Sequence, residues 1–184
     1  MIKIDEYRQQ VVRILETAGI VLTLQELQDI EIVTFGLTDY PVSGLQVLTY
    51  INNSRSRYCA KELILLPYQT CPEHRHPPFN GNPGKQETFR CRWGTVYLFV
   101  EDNELPCTDS LQAPMRNVPA GSKDWYTCTQ YIRLQPGEQY TIKPDTRHWF
   151  QSGKDGAVIS EFSSESRDEL DIFTDPRVNR LAGY

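Results

Sequence analysis

From residue 32 onward, short runs rich in Val, Ile, Tyr, Phe and Thr alternate with clusters of Pro, Gly, Asn and Asp. This texture constrains the fold more than any other feature of the chain. Candidate strands fall at 32–37, 46–51, 61–66, 87–92, 95–100, 126–134, 139–142, 148–151 and 158–163. Turn signals separate them at 39–41, 80–84, 103–106, 135–137, 144–146 and 152–156. Many short strands at such spacing predict a sandwich, a jelly roll or a small barrel. Helical periodicity is confined to the start. Tyr7, Val11, Ile14, Leu15 and Ala18 recur at spacings of three and four, and Gly19 follows as a stop signal. Thr23 and Glu26 fit a capping box ahead of a second stripe, Leu24, Leu27 and Ile30. Because the helices precede the strands instead of alternating with them, a parallel βαβ fold is disfavoured. At 184 residues the chain is expected to form one domain, with a helical segment at 1–31, a roll at 32–166 and an irregular or helical cap at 167–184.

Charge narrows the function classes. The chain carries 24 acidic against 19 basic residues, a net charge of −5, which argues against nucleic acid or an anionic membrane as partner. Asp5 and Glu6 stand where a secretory signal needs an apolar stretch, and the longest apolar runs are far short of a spanning helix of roughly 20 residues. Five scattered cysteines, with no C-x-x-C, lead to an expected reducing, cytoplasmic setting.

Only three histidines are present, and their placement matters. His74 and His76 are spaced i, i+2, which on an extended segment puts both imidazoles on one face. Glu87 follows across a loop rich in Pro, Asn and Gly, and His148 opens a later candidate strand. A lone histidine in a β-protein is usually a packed or surface residue, and a lone glutamate a solvated one. The combination is stronger, because every histidine takes part. Three nitrogen donors and one carboxylate suit an octahedral divalent metal with two open positions. The order H-x-H, Glu87, Gly94 also resembles the first motif of the cupin family, apart from a longer gap before the glutamate. Gly137, Pro144 and His148 match the second motif loosely, with Thr146 where a glycine is usual.

A more specific resemblance lies in LPYQTCPEHRHPPFNGNPGKQETFRCRWGTVYLFV, residues 66–100. It is similar to the D-lyxose isomerases, small cupin-type sugar isomerases, as are GEQYTIKPDTRHWFQSG and the tail EFSSESRDELDIFTDPRV. The resemblance runs from about residue 60 to the end of the chain. It implies a mainly β cupin jelly roll with N-terminal helices, a homodimer, a monosaccharide substrate and Mn2+ as the divalent metal. The implied reaction interconverts D-lyxose with D-xylulose, and D-mannose with D-fructose, through a cis-enediol. His74, His76, Glu87 and His148 are the implied metal ligands, Lys85 an implied proton donor and Glu161 the implied proton carrier. Strand parity alone does not decide whether Glu161 faces inward, and by base rate Lys85 is a surface lysine. Arg167 and Asp171 are expected to bind sugar hydroxyls or to tie down the tail. Trp93 and Trp149 either stack on a sugar or fill the core, the commoner fate of such rings.

Three rivals share these residues. A cupin dioxygenase uses the same ligand set but needs no proton-carrying carboxylate near the metal. A phosphosugar isomerase needs cations for the phosphate, for which Arg90, Arg92 and Arg147 are candidates. A sugar-sensing cupin has no need of all four ligands.

Overall fold

In a computed structural model, which describes residues 4–101 and 118–182, the helical start forms as its periodicity dictates. Helix α1, Ile4–Thr17, lays Val11, Ile14 and Leu15 on the outer face of the sheet against Leu48, Ile64 and Val158. Burial of such side chains stabilises by about 1.5–3 kcal/mol each. The helix closes with Ile20 N–H donating to Leu15 O and Gly19 N–H to Glu16 O, the paired bonds of a Schellman end. In α2, Leu24–Asp29, the capping box is present: Glu26 N–H donates to Thr23 Oγ1 and Thr23 N–H to Glu26 Oε2. Its expected apolar stripe is only partly used. No residue of α2 is buried and Leu24 is 81% exposed, while Ile30, just beyond the helix, enters the core.

Among the described residues nine strands follow: β1 Glu31–Val33, β2 Leu45–Asn53, β3 Tyr58–Leu65, β4 Thr70–Arg75, β5 Glu87–Val100, β6 Tyr131–Leu134, β7 Gln139–Ile142, β8 His148–Ser163 and β9 Ile172–Phe173. All pairings between them are antiparallel. The order is β1-β2-β3-β8-β4-β9, with β5 laid along the whole of β8.

The main departure from expectation is strand length. Segments 87–92 and 95–100 join into β5, and 148–151 and 158–163 join into β8, so the signal at 152–156 is not a chain reversal. It is a corner. Register shifts at Cys91/Trp93 and Gly94/Val96 bend the β5–β8 ribbon there. Gly94 has φ +76°, and a Cβ on it would lie 2.2 Å from the Gly156 carbonyl oxygen. Only glycine fits so close an approach.

Beyond the corner the ribbon turns back on itself. One half of β8 pairs with β3, from Cys59↔Ser163 to Leu65↔Ala157, and the other with β4, ending at His74↔His148. β7 and β6 extend the corresponding halves of β5. Two layers thus face each other across Val47, Leu63, Leu65, Cys91, Leu98 and Phe150. The chain is the cupin-type roll expected from its sequence. Among the expected strands, 126–134 shrinks to β6, and the signal at 103–106 lies outside the described residues. The tail is neither helical nor wholly irregular: a single 3-10 turn, Asp168–Leu170, leads into β9.

Candidate metal centre and active site

The corner explains how the site assembles. Glu87 pairs with Ser163 and Val100 with His148, so Glu87 and His148 stand at opposite ends of one ladder. Folding the ribbon returns one end to the other, and His148 Nε2 lies 2.9 Å from Glu87 Oε1. His74 sits beside His148 in the β4–β8 pairing. His76 follows two residues on, with Nε2 3.2 Å from the same Glu87 oxygen. The candidate ligand nitrogens of His74, His76 and His148 lie within 4.8 Å of one another, and all three residues are buried.

Each imidazole is oriented through its other nitrogen. His74 Nδ1 lies 2.8 Å from Pro72 O, His148 Nδ1 2.9 Å from Thr146 O and His76 Nδ1 2.5 Å from Asp171 Oδ1. These contacts direct the Nε2 atoms inward, as in protein metal sites. The donor set fits a divalent cation. His148 Nε2 and His76 Nε2 both converge on one buried carboxylate oxygen, Glu87 Oε1, at 2.9 and 3.2 Å, a clustering of donor atoms that a divalent cation would bridge. Burial, reinforced by His148 and His76, holds His74 well below the usual imidazole range and so neutral, the form that ligates. Burial and the Lys85 charge press His76 down, but Glu87 and Asp171 outweigh them and it is pushed up to about 9. A metal at this position therefore competes with a proton.

Lys85 reaches the centre through a tight loop. A Cβ on Gly84 would lie 1.9 Å from the His76 carbonyl oxygen, so glycine lets the loop press on the strand end that carries His76. Lys85 is buried, 2.7 Å from Glu87 Oε2 and 2.8 Å from Glu161 Oε1. Burial disfavours its charge, but Glu161 and Glu87 outweigh that and hold it well above the usual lysine range. Burial also opposes ionisation of Glu87, yet Lys85, His76 and His148 hold it well below the usual carboxylate range. Glu161 faces inward, accepts from Ser163 Oγ at 2.9 Å and is buried, while Phe162 beside it points out.

Of the eight residues singled out by sequence, seven meet here. Arg167 stands apart at the outer rim, its guanidinium 4.9 Å over the Phe79 ring and paired with Glu165 at 2.7 Å. Trp149 is a core residue, fully buried, stacked on Phe99 and donating to Cys128 O. Trp93 packs partly buried against the helices. Arg147 pairs with Glu101, and Arg90 donates to Gln139.

Two cavities meet at His76, Lys85 and Asp171. An outer vestibule, open to solvent, is lined by Arg57, Phe79 and Arg167 among others. An inner chamber is lined by His74, His76 and Glu87 together with Phe35, Leu45, Val47 and Leu63. Lys61, Asp168 and Arg180 also line this chamber and were not anticipated. Lys61 Nζ donates to Ser166 Oγ at 2.9 Å and to Asp168 at 3.1 Å, and Arg180 joins Asp168 to Glu31. A signal for Lys61 was present: it alternates with Leu63 and Leu65, both buried inward.

The chain is similar to known proteins in sequence and in fold. The chain is 57% identical to the D-lyxose ketol-isomerase of Cohnella laeviribosi, over 96% of this chain and 92% of that protein. It is 54% identical to the D-lyxose/D-mannose isomerase of Thermosediminibacter oceani, over 97% and 94%. In fold it is similar to L-ribose isomerases bound to L-ribose. The one from Cellulomonas parahominis has TM-score 0.76 at 20% identity, covering 97% of this chain and 94% of that one. The one from Acinetobacter sp. DL28 has TM-score 0.75 at 16% identity, covering 95% and 92%. The D-lyxose isomerase family profile matches residues 24–183. With a match of that span and full-length relatives above half identity, the chain belongs to the D-lyxose isomerase family and is an aldose–ketose isomerase.

Proposed function

We propose that the chain interconverts D-lyxose and D-xylulose, and D-mannose and D-fructose, by proton transfer through a cis-enediol, with Mn2+ held by His74, His76, Glu87 and His148. The observation that carries this reading is the Lys85–Glu161 pair beside the buried three-histidine, one-carboxylate cluster. Relatives named for lyxose and mannose isomerisation support both sugar pairs. The donor set alone would bind nickel, zinc or copper more tightly than manganese, so manganese rests on the resemblance. The homodimer and the cytoplasmic setting belong to the same proposal.

When bound, a divalent ion supplies Lewis acidity that makes the C–H beside a sugar carbonyl more acidic. The chain's own residues do the rest. Glu161, buried and inward, takes the proton from C2 of the open-chain aldose and returns it to C1 on the same face. Lys85, held charged between two carboxylates, donates to the sugar oxygen where negative charge develops. Asp171 keeps the His76 ring in place. Arg167 and the Phe79 ring under its guanidinium flank the way in.

The test is to incubate metal-stripped protein with D-lyxose in D2O, with and without Mn2+, and to follow products by NMR. Metal-dependent D-xylulose with deuterium at C1 is expected. Xylulose that keeps its hydrogen would contradict a solvent-exchanging Glu161, and no turnover of lyxose or mannose would overturn the reading. The phosphosugar alternative gains nothing from Arg90 and Arg147, which are committed to Gln139 and Glu101 away from both cavities.

A further inference from the structure

The roll closes at an aromatic seam. The sheet order begins at β1 and ends at β9, and these outer strands meet through Phe35, two residues after β1, and Phe173 in β9. Their rings pack edge to face with centroids 5.7 Å apart. Phe173 in turn stacks on His74 at 5.3 Å. The Phe35 carbonyl accepts from Asn179 N–H at 2.9 Å, which ties the tail across the same seam.

Phe35 is also a strained residue. Its φ is +57°, in the left-handed region, where a glycine or asparagine would sit more easily. The packing around it holds it in that conformation. The Phe35 ring is buried and faces the inner chamber, beside Leu45, Val47 and Leu63 of β2 and β3. The four side chains form an apolar wall of the chamber, whose lining also carries His74, His76 and Glu87. The wall offers no hydrogen-bonding group. A hydroxymethyl group pressed against such a wall loses water and gains no partner.

We propose that Phe35, with Val47 behind it, determines specificity by setting how long a sugar the chamber accepts beyond the two carbons that react. This rests on the isomerase reading above. The metal-site residues, Lys85 and Glu161 hold C1 and C2, and the chain of the sugar runs toward the seam. A five-carbon aldose ends before the wall, whereas the sixth carbon of a hexose brings its hydroxyl against it. Shortening Phe35 therefore favours hexoses, and lengthening Val47 disfavours them.

The test compares kcat/KM for D-mannose and D-lyxose in the Mn2+-loaded wild type, Phe35→Leu and Val47→Leu. Phe35→Leu should raise the mannose-to-lyxose ratio about five-fold or more, and Val47→Leu should lower it by a similar factor. A second readout needs no turnover: the polyols made by reducing the two sugars are compared for the thermal shift they cause. The hexitol should gain on the pentitol in Phe35→Leu and lose in Val47→Leu. If both sugars fall in parallel and the polyol shifts keep their wild-type ratio, the seam is structural and the inference is overturned. Should Phe35→Leu not fold, Val47→Leu decides alone. A wild type that turns over lyxose and mannose while neither variant moves the ratio defeats this inference only, and a wild type inactive on both sugars defeats the isomerase reading with it.

Discussion

His74 and His148 are oriented by carbonyls two residues upstream in their own segments, Pro72 and Thr146. His76 is oriented by Asp171, a side chain 95 residues away on the tail. The first two are set by local backbone geometry and need nothing from the rest of the chain. The third depends on the tail being docked, by the β4–β9 pairing, by Phe173 against Phe35, and by the ion pairs of Asp168 with Lys61 and of Arg180 with Glu31. One half of the centre is thus built into the strands, and the other is held by long-range tertiary contacts.

Breaking the comparison begins at Glu161, the proposed proton carrier, which stands beside both halves. Glu161→Gln should lower kcat by roughly 10²- to 10⁴-fold while metal content, measured by elemental analysis, stays at the wild-type level. Removal of Lys61 should separate the halves. Lys61→Met leaves Asp168 partly buried with Arg180 as its remaining cation, at a cost of about 2–4 kcal/mol in urea unfolding. Asp171→Ala acts on the tail side alone: metal affinity should fall about 10- to 100-fold by competition with a chelator dye, with little loss of unfolding free energy.

Acid sharpens the same contrast. Burial pushes Asp168 up, but Lys61, Lys85 and Arg180 outweigh it and hold the carboxyl well below the usual range. A carboxyl lowered in the folded state stabilises above its unfolded value, about 3.9, and that contribution is lost as pH falls below it. Unfolding free energy should therefore drop between about pH 5 and pH 3, and Asp168→Asn should flatten the slope. The smallest effect belongs to neither half. Thr23→Ala removes the α2 cap and should cost about 1 kcal/mol in unfolding, with kcat unchanged.

The strand-borne half was the legible half. An i, i+2 histidine pair on an extended segment has one geometric meaning, and the remaining ligands sit at strand starts where the pattern is clear. In the tail-borne half His76 and Asp171 were singled out, but not their contact with each other. Asp168 and Arg180 lie in a segment without periodicity, so neither burial nor partner follows from their spacing. Lys61 was not singled out: its charge argues for the surface, and only its parity with Leu63 and Leu65 points inward. The long strands were split because a two-glycine corner, Gly153 and Gly156, reads like a chain reversal. Only the opposing bulge in β5 makes it a bend within a continuous ladder. Glu161 could be assigned inward only once β8 was one strand with a known register against Lys61 and Phe89.

That ladder has a kinetic meaning. Glu87 and His148 mark the two ends of the same zipper, and in the finished fold the bend at the corner brings them together. A slip of one residue would turn Glu87 outward and dissolve the centre. A metal that binds all four ligands therefore binds only a chain whose pairing is complete. Such a metal would slow unfolding, because it would bridge residues at the two ends of the ladder. Cation uptake in such a protein works as a proofreading step: it retains finished molecules and passes over half-zipped ones.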